Sequence, residues 1–173
     1  MQFSTVLNDL LPFFARENIR FAIAGGVALQ ALGHARLTFD IDFIVDRMNQ
    51  EKIVTHMEEH GYETLRRSEG YSNHVSRELG RVDFIYIEGS TADKIFRTTT
   101  EQTYRGYKLF VPRPEHLAAM KILAMKNDPS RKYQEMIDLA FIWSLSEVNR
   151  DEIRNYFVER GMLKEFNELT GKA

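Results

Sequence analysis

The sequence contains no cysteine among its 173 residues, which excludes disulfide bonds and thiolate metal sites. A reducing cytoplasm is therefore the expected location of the chain. No apolar run approaches the roughly 20 residues that a membrane-spanning helix needs. The N-terminus also lacks the basic start and the apolar block of a signal peptide. The sequence therefore predicts a protein that functions without a membrane.

A strong imbalance of charge is also missing. The 23 Lys and Arg residues against 25 Asp and Glu give a formal net charge of −2, which excludes a strongly basic nucleic-acid binder but allows a local basic groove. The apolar share of 43% and the aromatic share of 12% are sufficient for a hydrophobic core. Together with the length, these proportions predict a single compact protein.

One short stretch, Phe21–Val45, contains most of the chemistry that the sequence offers. It reads FAIAGGVALQALGHARLTFDIDFIV. The apolar run at residues 21–24 predicts a strand, residues 27–32 predict a short helix, and residues 39–45 predict a second strand. A glycine pair lies between the first strand and the helix.

The second predicted strand carries two acids at alternate positions. Alternation along a strand places Asp40 and Asp42 on one face and Phe39, Ile41 and Phe43 on the other. Two neighbouring carboxylates in an apolar strand repel each other and resist burial. The pattern therefore predicts a cation between them.

The glycine pair and a third acid extend this site. Gly25 and Gly26 let the backbone approach a phosphate closely, although a tight strand-to-helix turn would explain the pair alone. Asp83 lies in a later apolar run. It either completes a site for divalent cations and accepts the proton of an attacking hydroxyl, or pairs with Arg81 or Arg77.

The glycine pair, the Asp-x-Asp motif and the later segment Val82–Phe84 resemble the signature of the DNA polymerase β-like nucleotidyltransferases. The fuller pattern GG…AL…R.T.DIDF resembles the AbiEii-type branch, which includes toxins of toxin–antitoxin pairs. The resemblance spans roughly residues 20 to 145. It implies an α/β (α+β) fold in which a mixed sheet is backed by helices, with a C-terminal helical portion.

The resemblance also implies the chemistry. Asp40, Asp42 and Asp83 would be the catalytic residues and would bind Mg²⁺ or Mn²⁺, while Gly25 and Gly26 would seat the phosphates of an NTP substrate. Many transferases of this superfamily have serine at the second glycine, so the glycine here offers only its N–H group.

Further nucleotide-binding residues are predicted outside this core. Arg36 and Thr38 are candidates for phosphate contact, with Arg36 equally suited to a salt bridge that holds the acids. The resemblance maps a functional lysine onto Lys121 and an acidic pair onto Glu135 and Asp138. Lys121 either grips the triphosphate or forms a structural ion pair with Asp138, and the sequence leaves both open.

The composition changes at Pro112 and Pro114, after which the pattern is helical. We therefore expect a nucleotidyltransferase-like core over residues 1–111. A helical portion over residues 112–173 is expected to pack on it as one unit.

Two histidines stand four residues apart within the predicted helix over residues 49–60. This helix is expected to be mostly exposed, so we interpret His56 and His60 as a solvated surface pair rather than as metal ligands.

The predicted activity is Mg²⁺-dependent transfer of an NMP from an NTP to a hydroxyl group, with release of pyrophosphate. The resemblance implies an RNA (tRNA) or protein acceptor, a toxin or defence role, and an antitoxin partner. The alternatives are a non-catalytic nucleotide-binding or interaction module of the same fold, and a modifier of small aminoglycoside-type molecules.

Overall fold

A five-stranded sheet organises the N-terminal part of the computed structural model, which describes residues 1–172. The chain divides into two units, Met1–Pro112 and Arg113–Ala173. The strands of the first unit are β1 (Phe21–Ala24), β2 (Asp40–Asp46), β3 (Glu63–Ser68), β4 (Tyr71–Ser76), β5 (Gly80–Ile87), β6 (Thr100–Tyr104) and β7 (Tyr107–Val111). Its helices are α1 (Phe3–Arg16), α2 (Gly25–Ala31), α3 (Gln50–Glu59) and α4 (Gly89–Arg97), with a 3₁₀ turn at Arg47–Asn49.

The sheet is mixed, with the strand order β1-β2-β5-β4-β3. The pair β2–β5 is parallel, and the other three pairs are antiparallel. Strands β6 and β7 form a separate antiparallel hairpin. The predicted fold class, a mixed sheet with helices, is therefore confirmed.

The two parallel strands have one apolar face, and helix α1 packs on this face. Phe43 of β2 lies opposite Phe84 of β5 in the register, and both rings contact Phe14 of α1 at centroid distances of 5.2 and 6.4 Å. Since side chains alternate along a strand, the preceding pair in the register, Asp42 and Asp83, lies on the opposite face. The aromatic packing thus determines which face carries the acids.

The glycine-bearing stretch differs from its prediction in two details. The first strand covers residues 21–24 as predicted, but α2 begins at Gly25 rather than at residue 27. The second strand begins at Asp40, so Phe39 precedes it and is 77% exposed. The prediction that Phe39 shares the buried face of Ile41 and Phe43 is therefore wrong.

The second unit is helical, as the sequence predicts. Its helices are α5 (Pro114–Asn127), α6 (Lys132–Ser144), α7 (Arg150–Glu159) and α8 (Leu163–Thr170), with a 3₁₀ turn at Pro129–Arg131. Phe166 of α8 contacts Trp143 of α6 and Phe157 of α7, each at 5.6 Å between ring centroids. Over the whole described chain, no helix has both the length and the apolar character that a membrane crossing requires.

Strand β4 carries a buried histidine within a hydroxyl network. The Oγ of Ser72 lies 2.8 Å from Nε2 of His74 and 2.7 Å from the hydroxyl of Tyr86. On the other side of the ring, Oγ1 of Thr64 lies 3.1 Å from Nδ1. Burial lowers the pKa of His74 to about 4, so the ring is neutral at pH 7.

This histidine makes the stability depend on pH. Its pKa is 6.5 in a free chain and about 4 in the fold, so the unfolded chain takes up the proton first as the pH falls. The contribution of neutral His74 to the free energy of unfolding is complete above pH 6.5 and is lost as the pH falls to about 4. We expect the free energy of unfolding, measured with urea, to fall over this interval. The fall should be shallower in His74→Gln, and an equally steep fall in that variant would contradict the assignment.

Candidate active site

Three carboxylates converge on the polar face of β2 and β5. One oxygen atom from each of Asp40, Asp42 and Asp83 lies within 4.8 Å of the other two. The parallel pairing places Asp42 directly opposite Asp83, and Asp40 lies two residues earlier on the same face of β2. Asp83 is buried, whereas Asp40 and Asp42 are half-buried. The structure therefore brings together the three residues predicted to bind metal.

The glycine pair makes room for the side chains of this site. Gly25 has φ +57°, and a Cβ built on it would lie 2.7 Å from Cγ of Asp42. A Cβ on Gly26 would lie 2.6 Å from Cβ of Thr38. Because real Cβ atoms do not approach other atoms this closely, each glycine is required by the side chain that packs against it.

Thr38 and Arg36 occupy the loop that leads into β2. The hydroxyl of Thr38 donates a hydrogen bond of 2.8 Å to Oδ1 of Asp40, so Thr38 orients one of the three carboxylates. The Nε of Arg36 donates to the carbonyl of Leu37 at 3.2 Å, and the side-chain amide of Gln30 donates to the carbonyl of Arg36. The predicted phosphate contacts of Thr38 and Arg36 stay predictions.

Asp83 is held by two donors from neighbouring positions in the sheet. Arg81 binds it through both ends of the carboxylate, with Nε 3.0 Å from Oδ1 and Nη2 2.5 Å from Oδ2. The amide of Asn73 also donates to Oδ1. Oδ1 of Asp83 therefore accepts from Asn73 and Arg81, Oδ2 accepts from Arg81, and the hydroxyl of Tyr71 also forms a hydrogen bond with this carboxylate. The ion pair with Arg81 and the convergence with the other acids thus occur together.

Sequence reasoning identified Arg81 as a partner of Asp83 but missed Asn73. The two residues are far apart in the chain and meet because Asn73 of β4 lies directly opposite Asp83 in the antiparallel register. The short polar turn between β4 and β5 was the available signal, because a hairpin register pairs residues symmetrically about its turn.

The donor atoms at this site suit a divalent cation. Three carboxylates carry a charge of −3 when ionised, and Arg81 contributes +1. Its hydrogen bonds to Asp83 raise the pKa of Arg81, so the guanidinium stays charged. The all-oxygen donor set of the three carboxylates fits Mg²⁺ or Mn²⁺.

Lys121 of α5 lies in a buried ion cluster with two acids of α6. Its Nζ is 2.7 Å from Oδ2 of Asp138 and 3.0 Å from Oε2 of Glu135, and both acids are fully buried. Nη2 of Arg131 lies 2.5 Å from the other oxygen of Glu135. The structural ion pair that the sequence left open is therefore formed, and the contact of Lys121 with a triphosphate stays a prediction.

A matched pair of glycine variants tests the packing of Gly25 on Asp42. Gly25 and Gly89 each begin a helix with nearly the same backbone angle, φ +57° and +59°, but Gly89 has no atom within 4 Å of a built Cβ. We expect both alanine variants to lose about 1–2 kcal/mol of stability from the positive φ. Only Gly25→Ala should weaken Mn²⁺ binding, by at least about tenfold, because it displaces Asp42. Equal Mn²⁺ affinities, measured by electron paramagnetic resonance of free Mn²⁺, would contradict this account.

A second pair of variants tests the buried ion cluster. Lys121→Met should lower the free energy of unfolding by about 3–5 kcal/mol, because it removes the cation that two buried carboxylates share. Lys132→Met is the control, since Lys132 forms an exposed pair with Glu168 at 2.7 Å and should cost less than about 1 kcal/mol. Similar losses for the two variants in urea unfolding would show that the cluster is not strongly coupled.

Solved structures with this fold include enzymes that modify antibiotics. The antibiotic-resistance factor ANT(2'')-Ia superposes with a TM-score of 0.73 at 14% identity, covering 97% of this chain and 98% of that one. The lincosamide antibiotic adenylyltransferase LnuA gives 0.61 at 16% identity, covering 81% of this chain and 96% of that one. A CCA-adding enzyme bound to CTP gives 0.51 at 17% identity, covering 98% of this chain and 47% of that one. At these identities the likeness shows the nucleotidyltransferase fold.

Sequence comparison gives the family. No curated protein sequence matches the chain significantly. The family described as nucleotidyl transferase AbiEii toxin, type IV toxin–antitoxin system, matches residues 13–172. This match includes the three converging acids, the glycine pair and the buried ion cluster. The chain therefore belongs to the AbiEii nucleotidyltransferase toxin family.

Proposed function

We propose that the chain transfers a nucleoside monophosphate from an NTP to a hydroxyl group and releases pyrophosphate. In this reaction the hydroxyl oxygen forms a bond to the α-phosphorus, and the bond from that phosphorus to the β-phosphate bridging oxygen breaks. The hydroxyl proton passes to a base, and the electron pair of the broken bond leaves with pyrophosphate. The observation that carries the proposal is the convergence of Asp40, Asp42 and Asp83 within 4.8 Å.

The three carboxylates are proposed to hold Mg²⁺ or Mn²⁺. When bound, such ions neutralise the charge that develops on the pyrophosphate leaving group. Thr38 supports this role because its hydroxyl donates to Oδ1 of Asp40 and thereby orients the carboxylate. Gly25 and Gly26 carry no side chain, so their backbone can lie close to the phosphates.

Asp83 is proposed to accept the hydroxyl proton as well as to hold a cation. In the described conformation Asn73 and Arg81 both donate to Oδ1, and Arg81 also donates to Oδ2. The side chain of Arg81 is 49% exposed, so it can rotate away when a cation enters and supplies the positive charge instead. Both oxygens of Asp83 then have an acceptor position.

The acceptor is proposed to be an RNA hydroxyl, such as the end of a tRNA. Leu37 and Phe39 flank Thr38 beside the carboxylates and are 79% and 77% exposed. Exposed apolar and aromatic side chains next to a reaction centre provide a stacking surface for an unpaired base. The fold is shared with a CCA-adding enzyme, which supports this choice, and with antibiotic-modifying enzymes, which makes small molecules the second acceptor to test.

The family description supports a toxin role for the activity, with an antitoxin as partner. Under this proposal, modification of an essential RNA by the chain would arrest growth, and an antitoxin would counteract the effect.

The central variant for this proposal is Asp42→Asn. With labelled NTPs, Mg²⁺ and total tRNA, we expect the chain to label tRNA. Asp42→Asn should reduce the rate at least about 100-fold, because an amide is a far weaker ligand for a divalent cation than a carboxylate. The control is Asp46→Asn, since Asp46 lies at the other end of β2 and binds Arg20 at 2.7 and 2.8 Å. It removes the same charge from the same strand and should keep the activity.

The acceptor assay has further arms with defined outcomes. Parallel reactions contain a protein extract freed of RNA, an aminoglycoside or a lincosamide. Label in one of these instead of tRNA would replace RNA as the acceptor while keeping the transferase. Binding of NTP without transfer to any acceptor would overturn the proposal in favour of a non-catalytic nucleotide-binding module.

A further inference from the structure

A second cluster of potential metal ligands lies between helices α1 and α3. Nε2 of His56 is 3.1 Å from Oδ2 of Asp9, and Nε2 of His60 is 3.6 Å from Oδ1 of the same carboxylate. The ligand atoms of the three residues all lie within 4.8 Å of one another. The expectation that His56 and His60 form a solvated surface pair is wrong for His56, which is 7% exposed.

These distances suit a tetrahedral metal ion. Zn²⁺ binds imidazole nitrogen and carboxylate oxygen at about 2.0–2.2 Å, so two ligand atoms at a tetrahedral ion lie about 3.4 Å apart. The two measured separations, 3.1 and 3.6 Å, bracket that value. A donor set of two imidazoles and one carboxylate also favours the binding of Zn²⁺ over that of Mg²⁺.

The orientation of His60 is set by the backbone of its own helix. Its Nδ1 lies 2.7 Å from the carbonyl of His56 and donates to it, which leaves Nε2 facing Asp9. A metal-binding histidine usually donates its other ring nitrogen to such an acceptor, which fixes the tautomer. A hydrogen bond between the helices explains the contact of Asp9 with His56, whereas a shared metal ion accounts for both histidines beside the same carboxylate.

Packing fixes one ring and leaves the other adjustable. His56 stacks on Phe13 at a centroid distance of 3.8 Å and on His60 at 4.0 Å. The side chain of His60 is half-exposed, so its ring can tilt until both Nε2 lone pairs meet at one ion.

We propose that Asp9, His56 and His60 bind one Zn²⁺ ion that links α1 to α3, with water as the fourth ligand. This site is separate from the three acids of the candidate active site and does not depend on the proposed transferase activity. Its effect is structural, because it fastens the helix that covers the aromatic face of the sheet.

The test uses untagged protein freed of metal with EDTA, and Co²⁺ as a spectroscopic substitute for zinc. We expect one equivalent of Co²⁺ to give the strong visible absorption of a four-coordinate site with nitrogen ligands, and Zn²⁺ to remove it by competition. Asp42→Asn should keep this signal, which separates the site from the oxygen-only carboxylate cluster. In Asp9→Asn and His60→Ala, Zn²⁺ should bind at least about 100-fold more weakly. The control Glu59→Ala removes an exposed acid next to His60 and should bind like the unaltered chain.

Thermal unfolding supplies an independent measurement. Zn²⁺ at about 100 times its Kd should raise the Tm of the unaltered chain and of Glu59→Ala by about 5–10 °C. The same addition should leave the Tm of His60→Ala unchanged, while circular dichroism of the metal-free variant confirms that it is folded. Equal Zn²⁺ affinity in His60→Ala and the unaltered chain, or no four-coordinate Co²⁺ signal, would overturn the proposal.

Discussion

Electrostatic repulsion among three carboxylates is the constraint around which this protein is arranged. Asp40, Asp42 and Asp83 lie within 4.8 Å of one another on strands whose opposite face is closed by aromatic rings. Carboxylates this close destabilise the fold unless donors or cations compensate them. Thr38 donates to Asp40, and Arg81 and Asn73 donate to Asp83. The three carboxylates, held in this way on one face of the sheet, form a site that is suited to binding a cation.

The same site depends on backbone geometry as much as on charge. Asp42 occupies the space beside Gly25 that any other residue would fill with a Cβ, and Ala24 pairs with Asp42 across the β1–β2 ladder. The turn into α2 and the position of the carboxylate are therefore determined together. The packing of Asp42 therefore requires glycine at position 25, whether or not the backbone there contacts a phosphate.

The sequence predicted the elements of the site better than their contacts. The strand at residues 21–24 and the acid-bearing strand follow from apolar runs and alternation. The meeting of Asp83 with the other acids was one of two alternatives in the sequence, and the family resemblance implied it. The predicted start of the second strand was wrong at Phe39. The sequence does not show whether an aromatic residue beside a strand faces the core or the solvent. The pairing of Asn73 with Asp83 depends on the register between strands, which composition does not encode.

The histidine cluster shows the same limit for helices. The spacing of His56 and His60 places them on one side of α3, and that much is visible in the sequence. What faces this side depends on the packing of α1 against the sheet, which brings Asp9 and Phe13 to the two rings. The sequence of a helix therefore predicts which of its residues share a side. What those residues contact becomes predictable only when the neighbouring element is known.

The parallel pairing of β2 with β5 has a consequence for the synthesis of the protein on the ribosome. Parallel neighbours require a long connection, and here α3, β3 and β4 are synthesised between the strand that carries Asp42 and the strand that carries Asp83. A nascent or truncated chain that ends before β5 has two of the acids but neither the third nor the arginine that accompanies it. The complete group of three acids thus arises only in a chain that has been synthesised through β5 and has paired this strand with β2.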